Sequence, residues 1–177
     1  LLSETDAMGI TTSYTYDYAG RIASISKEEA LTEYTYDNFG RLYQKKQRTG
    51  SGTLTQTFIY DNIDRLITER LDDENGMVEC KNYSYDPNGN RCMTALATDS
   101  GLAITQTEYN FDGKPLKITD ALGNTTHFIY RYDYVNALGQ NVPFTEETDP
   151  LGRRTQTICD AMARPVRILS LDAFGEV

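Results

Sequence analysis

Aromatic residues recur along the chain as pairs separated by one residue: Tyr14 and Tyr16, Tyr34 and Tyr36, Phe58 and Tyr60, Tyr83 and Tyr85, Tyr109 and Phe111, Tyr130 and Tyr132. Side chains alternate faces along a strand, so the members of each pair point to the same side of a sheet. Stacking successive pairs would line the rings into an aromatic ladder, whose plainest use is packing. Helix signals are nearly absent. The pattern predicts an all-β chain, with a strand leading into each turn and another leaving it.

The turns are legible as a repeat. Tyr16-Asp17-Tyr18-Ala19-Gly20-Arg21-Ile22 returns as Tyr36-Asp37-Asn38-Phe39-Gly40-Arg41-Leu42, as Tyr60-Asp61-Asn62-Ile63-Asp64-Arg65-Leu66, and as Tyr85-Asp86-Pro87-Asn88-Gly89-Asn90-Arg91. Phe111-Asp112-Gly113-Lys114-Pro115-Leu116 reads as a shortened copy and Tyr132-Asp133-Tyr134-Val135-Asn136 as a degenerate one. The aspartates of the first five copies lie about 20 to 26 residues apart, the length of two strands and two turns. Asp at the first position of a type I turn accepts a hydrogen bond from the backbone N–H two residues on. Gly at the fourth position supplies the left-handed conformation of a bulged hairpin. On this reading Gly20, Gly40 and Gly89 have positive φ, and Asp64 and Asn136 take the glycine position in two copies, being residue types that tolerate it.

A related turn, Asp-Ala-x-Gly, appears at Asp6 to Gly9 and Asp120 to Gly123. Asp149-Pro150-Leu151-Gly152, Asp160 to Ala163 and Asp172 to Gly175 are relatives of it, and from Asp149 onwards the steps shorten to 11 and 12 residues, one strand plus one turn. Looser loops at Thr49 to Gly52, Asp72 to Gly76 and Asp99 to Gly101 join strands at their other ends. The whole reads as one array over residues 1–177, an antiparallel up-and-down meander of about 14 strands.

Composition strengthens this picture. Of the 177 residues 13 are Tyr, 6 are Phe and none is Trp, a bias towards residues that suit half-buried pleated surfaces. The net charge of −9 argues against nucleic acid as a partner, because phosphate backbones attract Lys and Arg. No apolar run approaches the length of a membrane span. Cys80, Cys92 and Cys159 match no zinc spacing, and a hairpin register about the turn at Asp86 keeps Cys80 and Cys92 from facing each other, so all three are expected to be free thiols.

Candidate chemistry is sparse. His127 is the only histidine and lies in an alternating strand pattern, which leaves a Ser-His-Asp or multi-histidine site hard to assemble. Asp72, Asp73 and Glu74 before Asn75-Gly76 lack the spaced ligands of an EF-hand and read as a solvated hairpin loop, as Glu28-Glu29 and Glu146-Glu147 read as solvated charges. No glycine-rich phosphate loop or nucleophile elbow appears. The expectation is a protein without catalytic, cofactor-binding or metal-binding residues. Its informative positions are then structural: the turn residues Asp17, Gly20, Asp37, Gly40, Asp61, Asp86, Gly89, Asp120, Gly123, Asp149 and Gly152, and the twelve ladder aromatics.

The string Gly9-x4-Tyr14-x-Tyr16-Asp17-x-x-Gly20-Arg21-Ile22, with its copies at Tyr36 and Tyr60, resembles the YD repeats of the Rhs family. That family includes bacterial polymorphic toxins, the C component of insecticidal toxin complexes, wall-associated bacterial proteins and the teneurins. The resemblance implies a strip of hairpins that curves and spirals into a hollow shell, which in the toxin relatives encloses a C-terminal toxic polypeptide. It implies a secreted or cell-surface setting, with other parts of the parent shell, or a second copy meeting it at open sheet edges, as partners. A full shell needs several times more repeats, so this chain is expected to supply an arc, and its start at Leu1 without methionine reads as a fragment. An Asp-Pro-x-Gly-Leu segment in the toxin relatives is linked to self-cleavage. Arg153 stands in place of that Leu here and repeat-like sequence continues beyond it, so Asp149 to Gly152 reads as an ordinary turn. The alternative function is surface adhesion or carbohydrate binding, with exposed tyrosines as a stacking platform.

Overall fold

A computed structural model describes residues 2–175. Among the described residues there is no helix; all regular structure is strand. The strands are β1 (Ser3–Thr5), β2 (Thr11–Tyr16), β3 (Ile22–Lys27), β4 (Ala30–Tyr36), β5 (Leu42–Thr49), β6 (Gly52–Tyr60), β7 (Leu66–Asp73) and β8 (Gly76–Tyr85). They continue as β9 (Arg91–Thr98), β10 (Gly101–Tyr109), β11 (Pro115–Thr119), β12 (Thr125–Val135), β13 (Asn141–Thr148), β14 (Arg154–Cys159) and β15 (Pro165–Leu171). They form a 15-stranded sheet in which strand order is chain order, with β1 and β15 at the ends of the order. The expected meander is the observed topology, with one strand more than the repeat count suggested.

The chain divides into two compact units, Leu1–Tyr83 with Ala95–Leu102, and Ser84–Thr94 with Ala103–Val177. In the first unit, turns at Asp17, Asp37 and Asp61 close one end of the strands. The opposite end has the Asp6 turn and two-residue connections, in which Lys27 pairs with Ala30, Thr49 with Gly52 and Asp73 with Gly76. In the second unit, Asx turns close both ends: Asp86, Asn110, Asn136 and Asp160 begin the turns at one, and Asp120, Asp149 and Asp172 begin those at the other.

Two of the expected copies are corrected. Phe111-Asp112 is not the start of a shortened turn: Gly113 N–H donates to the Asn110 carbonyl at 3.0 Å, so the turn runs from Asn110 to Gly113 with Asn110 in the Asp position and Tyr109 in the Tyr position. Phe111 lies at the tip of that turn, 93% exposed, and is off the ladder. Tyr132-Asp133 lies inside β12, at a register irregularity between Arg131 and Tyr134. The sixth turn runs from Asn136 to Gly139, so Gly139 has the positive φ and Asn136 opens the turn. The physical reason is shared: an Asn side-chain oxygen accepts the same backbone N–H bonds as Asp, and the position of glycine sets the frame.

Buried apolar side chains are few. Val142, Phe144 and Ile158 form a cluster on β13 and β14, with Tyr134 of β12 packed against it. Phe144 pairs with Ile158 across the ladder and stacks on Tyr134, ring centroids 4.9 Å apart. A sheet with so little covered surface depends heavily on its ladder hydrogen bonds and on contacts between neighbouring turns.

Candidate functional site

The recurring site is a clasp built on each Asx turn. Asp17 carbonyl accepts Gly20 N–H at 3.0 Å, and Asp17 N–H donates to the Arg21 carbonyl at 2.9 Å, so Asp17 faces two residues in a bulged type I hairpin. One carboxylate oxygen of Asp17 accepts Ala19 N–H and Arg21 N–H, both at 2.9 Å. The other accepts Arg21 Nε at 2.8 Å, and the guanidinium closes a salt bridge at 2.7 Å. The arrangement repeats at Asp37 with Arg41, Asp61 with Arg65, Asp149 with Arg153 and Asp160 with Arg164. At Asp86 and Asp120 the amides of Asn90 and Asn124 take the place of the guanidinium.

The first two clasps also reach the next repeat. The Arg21 guanidinium lies over the Tyr36 ring at 4.2 Å, and the Tyr36 hydroxyl donates back to the Ile22 carbonyl at 2.9 Å. Arg41 covers Tyr60 at 4.7 Å, donates to Asp64 Oδ1 at 2.6 Å and to the Asp61 carbonyl at 3.1 Å, while Tyr60 hydroxyl donates to the Leu42 carbonyl. The same tyrosine-to-carbonyl bond joins Tyr109 to Arg91 and Tyr130 to Pro115, and Lys114 lies over Tyr130. These contacts give the ladder its chemistry. The rings of Tyr36, Tyr60 and Tyr130 are covered on one side by a cation and their hydroxyls are tied to backbone carbonyls, each cation–π contact contributing about 0.5–1 kcal/mol at an exposed site.

The sequence-predicted turn residues fall where hairpin geometry requires. Gly20, Gly40, Gly89, Gly123 and Gly152 have positive φ, as does Asp64 at φ 66. Asp64 carries a positive φ that glycine would adopt without strain, and its Oδ1 bond to Arg41 offsets part of that strain. Among the ladder residues Tyr14, Tyr34, Tyr36, Phe58, Tyr60, Tyr85, Tyr109 and Tyr130 are half-buried and Tyr83 is buried, whereas Tyr16 and Tyr132 are exposed. The ladder face is not purely aromatic. Tyr34 pairs with Lys45 and Phe58 with Glu69, and Glu69 accepts hydrogen bonds from Gln56 and from the Tyr83 hydroxyl.

Sequence reasoning missed the residue four after the Asx, the arginine or asparagine that closes the clasp. Its signal was the recurrence of Arg at positions 21, 41, 65, 153 and 164, each four residues after an aspartate.

The remaining candidates separate. His127 is an exposed residue of β12 that pairs with Lys117 and Thr148. Asp73 closes its hairpin by accepting Asn75 and Gly76 N–H, Asp72 pairs with Arg70, and Glu74 accepts Thr53 N–H at 3.1 Å. Cys80, Cys92 and Cys159 are free thiols. Among the described residues no group of three or more His, Cys, Asp or Glu is placed to hold a metal ion. Asp149 accepts Leu151 N–H, Arg153 N–H and Arg153 Nε, so its carboxylate is engaged within its own turn.

The clasps tune their carboxyls. Burial pushes Asp17, Asp37, Asp61 and Asp149 up, but hydrogen bonds from the following arginine and backbone N–H groups outweigh it and leave each below the ordinary value. At Asp86 and Asp120 the leading cause of the same lowering is the Asn90 or Asn124 amide, and at Asp160 it is the Arg164 guanidinium. A carboxyl lowered by folding binds its proton more readily in the unfolded chain. Its stabilisation is therefore complete above the unfolded value of about 3.9 and is lost as pH falls through the folded value. The melting temperature is expected to fall steeply below about pH 4, and Asp37→Asn to make that fall shallower. Above the isoelectric point near 4.6 neutralising the −9 charge relieves self-repulsion, but below it the net charge is positive and repulsion adds to the fall. A melting temperature that holds level or rises down to pH 3, in circular-dichroism melts across this range, would show that the clasps contribute no measurable stability.

Comparison with known proteins agrees with the repeat. Residues 1–32 match the family described as RHS Repeat. Double-stranded DNA deaminase toxin A of Burkholderia cenocepacia (strain H111) is 25% identical over 200 aligned residues, covering 94% of this chain and 13% of the toxin. Among solved structures, the crystal structure of TcdB2-TccC3-TEV is similar at 13% identity and a TM-score of 0.26, over 97% of this chain and 14% of that one. The Photorhabdus luminescens Tc holotoxin pore with a TccC3 mutation is similar at 14% identity and a TM-score of 0.27, again over 97% and 14%. The chain thus spans only a small part of the length of each. Its repeated Tyr-Asp turns and all-β meander resemble a YD-repeat (Rhs-repeat) array, with the family match confined to residues 1–32 and a similarity to a bacterial toxin that runs over nearly the whole chain.

Proposed function

We propose that this chain is a structural segment of the β-shell of a secreted or injected toxin-like protein, where it helps to scaffold or enclose a toxic polypeptide. The observation that carries the reading is the linked clasp. At the first clasps the Asp, Arg and Tyr side chains engage their own turn and the next one, as Arg41 donates to Asp37, to the Asp61 carbonyl and to Asp64. Such a chain of nearest-neighbour contacts is what a long repeat strip needs to propagate without a thick hydrophobic core. On this reading the chain has no catalytic role, and the rest of the parent strip, together with the enclosed polypeptide, is its partner.

Limited proteolysis of the parent protein tests the proposal. The polypeptide enclosed by the shell is expected to resist digestion in the parent and to become sensitive when Arg21 and Arg41 are both replaced by alanine. Equal digestion before and after those substitutions, with the shell itself still folded, would remove the enclosing role.

A further inference from the structure

The chain holds two Asn-Gly dipeptides, Asn75-Gly76 in the hairpin between β7 and β8 and Asn88-Gly89 in the turn that opens at Asp86. An asparagine followed by glycine is the pair most prone to deamidate, because the glycine nitrogen can attack the side-chain amide carbon and no side chain stands in its way. Both asparagines are exposed, and a Cβ added at either glycine would meet no atom within 4 Å. In steric terms the two sites are equivalent, so each serves as a control for the other.

They differ in what the attacking nitrogen faces. Gly89 N–H donates to the Asp86 carbonyl at 3.0 Å, a neutral oxygen that is far too weak a base to take the proton. Gly76 N–H donates to Asp73 Oδ1 at 3.1 Å, a carboxylate oxygen that also accepts Asn75 N–H at 2.7 Å. A carboxylate within hydrogen-bond reach of the proton to be removed is placed as a general base.

They differ also in how firmly the asparagine is held. Asp86 accepts Asn88 N–H, Asn90 N–H and Asn90 Nδ2, all at 2.8 to 2.9 Å, and Pro87 locks the residue before Asn88. Attack at Asn88 must break this clasp. At Asn75 the carboxylate that holds the turn is the one that would draw the proton, and Asp73, Asn75 and Gly76 are all exposed to the water that completes the reaction.

We propose that Asn75-Gly76 is a self-modifying deamidation site with Asp73 as its base. Asp73 Oδ1 draws the proton from the Gly76 nitrogen as that nitrogen forms a bond to Cγ of Asn75. The bond from Cγ to Nδ2 breaks, and Nδ2 leaves with the proton as ammonia, which returns Asp73 to its carboxylate. Water then opens the cyclic imide: its hydroxyl goes to one of the two carbonyl carbons and its remaining hydrogen to the nitrogen, giving aspartate or isoaspartate. Either product adds a negative charge beside Asp73 and Glu74, and isoaspartate also lengthens the backbone inside the turn. Glu74 accepts Thr53 N–H at 3.1 Å and so ties this hairpin to β6, a link that the altered turn would loosen. The inference does not depend on the role in a shell.

Incubation of the full chain at neutral pH and body temperature, followed by peptide mapping that separates asparagine, aspartate and isoaspartate, tests it. In the folded chain Asn75 is expected to convert severalfold faster than Asn88, and in urea the two rates are expected to converge, because neither the base nor the clasp is then in place. Asp73→Asn is expected to slow conversion of Asn75 severalfold and to leave Asn88 unchanged. Equal rates in the folded chain would overturn the proposal. A preference for Asn75 that persists undiminished in urea would assign it to local sequence and overturn the part played by the fold, and an Asp73→Asn chain that converts Asn75 at the wild-type rate would remove Asp73 as the base. Circular dichroism confirms folding of the variant. If Asp73→Asn unfolds, the wild-type ratio of the two rates decides, and a ratio that is the same with and without urea overturns the proposal.

Discussion

Replacing Phe144 by alanine is expected to destabilise the chain by about 3 kcal/mol, the low end of the range for truncating a buried phenylalanine. Phe144 is 7% exposed, stacks on Tyr134, pairs with Ile158 and shares its cluster with Val142, which is fully buried. Truncation removes ring surface from an apolar environment and leaves a cavity that the flanking strands, held by ladder hydrogen bonds, cannot close. The matched control is Phe111→Ala, which removes an equal ring from a turn tip and is expected to change stability by less than about 0.5 kcal/mol. Urea denaturation of both variants decides the matter. Equal losses would mean that the cluster on β13 and β14 contributes no more than an exposed side chain, and that the second unit is held by its backbone ladder alone.

The clarity of the repeat in sequence followed from its locality. An Asp carboxylate and a left-handed residue three positions later define the reversal within four residues, so the turns at Asp17, Asp37, Asp61, Asp86, Asp120 and Asp149 could be placed from residue types alone. Where the reading went astray, it followed the Tyr-Asp dipeptide in place of the turn chemistry. Tyr132-Asp133 imitates the motif but has no glycine at the right distance, while Asn110 and Asn136 do, with Gly113 and Gly139. Framing the repeat on any Asx with glycine three residues on recovers both. The outward reach of the clasp was not legible in the same way. Arg41 meets Asp64 and Tyr60 because adjacent hairpins are staggered so that one turn's fifth residue lies against the next turn's fourth. That stagger is a property of strand pairing and has no signature inside a single copy. The buried cluster was equally hidden, since Asn141-Val142-Pro143-Phe144 has the same alternation as strands whose apolar side chains stay half exposed.

The second large effect tests the reach of the clasp directly. Gly40→Val is expected to cost about 2–3 kcal/mol and Gly20→Val about 1–2 kcal/mol, although both place a β-branched residue in the left-handed region. The two glycines have nearly the same backbone, φ 87 and φ 80. Their surroundings differ. A Cβ at Gly40 would lie 3.1 Å from Nη1 of Arg21, whereas a Cβ at Gly20 meets no atom within 4 Å. The shared cost is backbone strain, and the excess at Gly40 measures displacement of the Arg21 guanidinium from the Tyr36 ring and from its pairing with Asp17. In an Arg21→Ala background that excess is expected to vanish, since the obstructing guanidinium is gone, and the two valine variants should then lose the same stability. Gly40→Asn is expected to cost much less than Gly40→Val, because Asn tolerates positive φ. Thermal and urea melts of the set give each difference. Equal losses for Gly20→Val and Gly40→Val in the wild-type background would mean that the first clasp exerts no hold on the second turn, and would reduce the linked array to independent hairpins sharing a sheet.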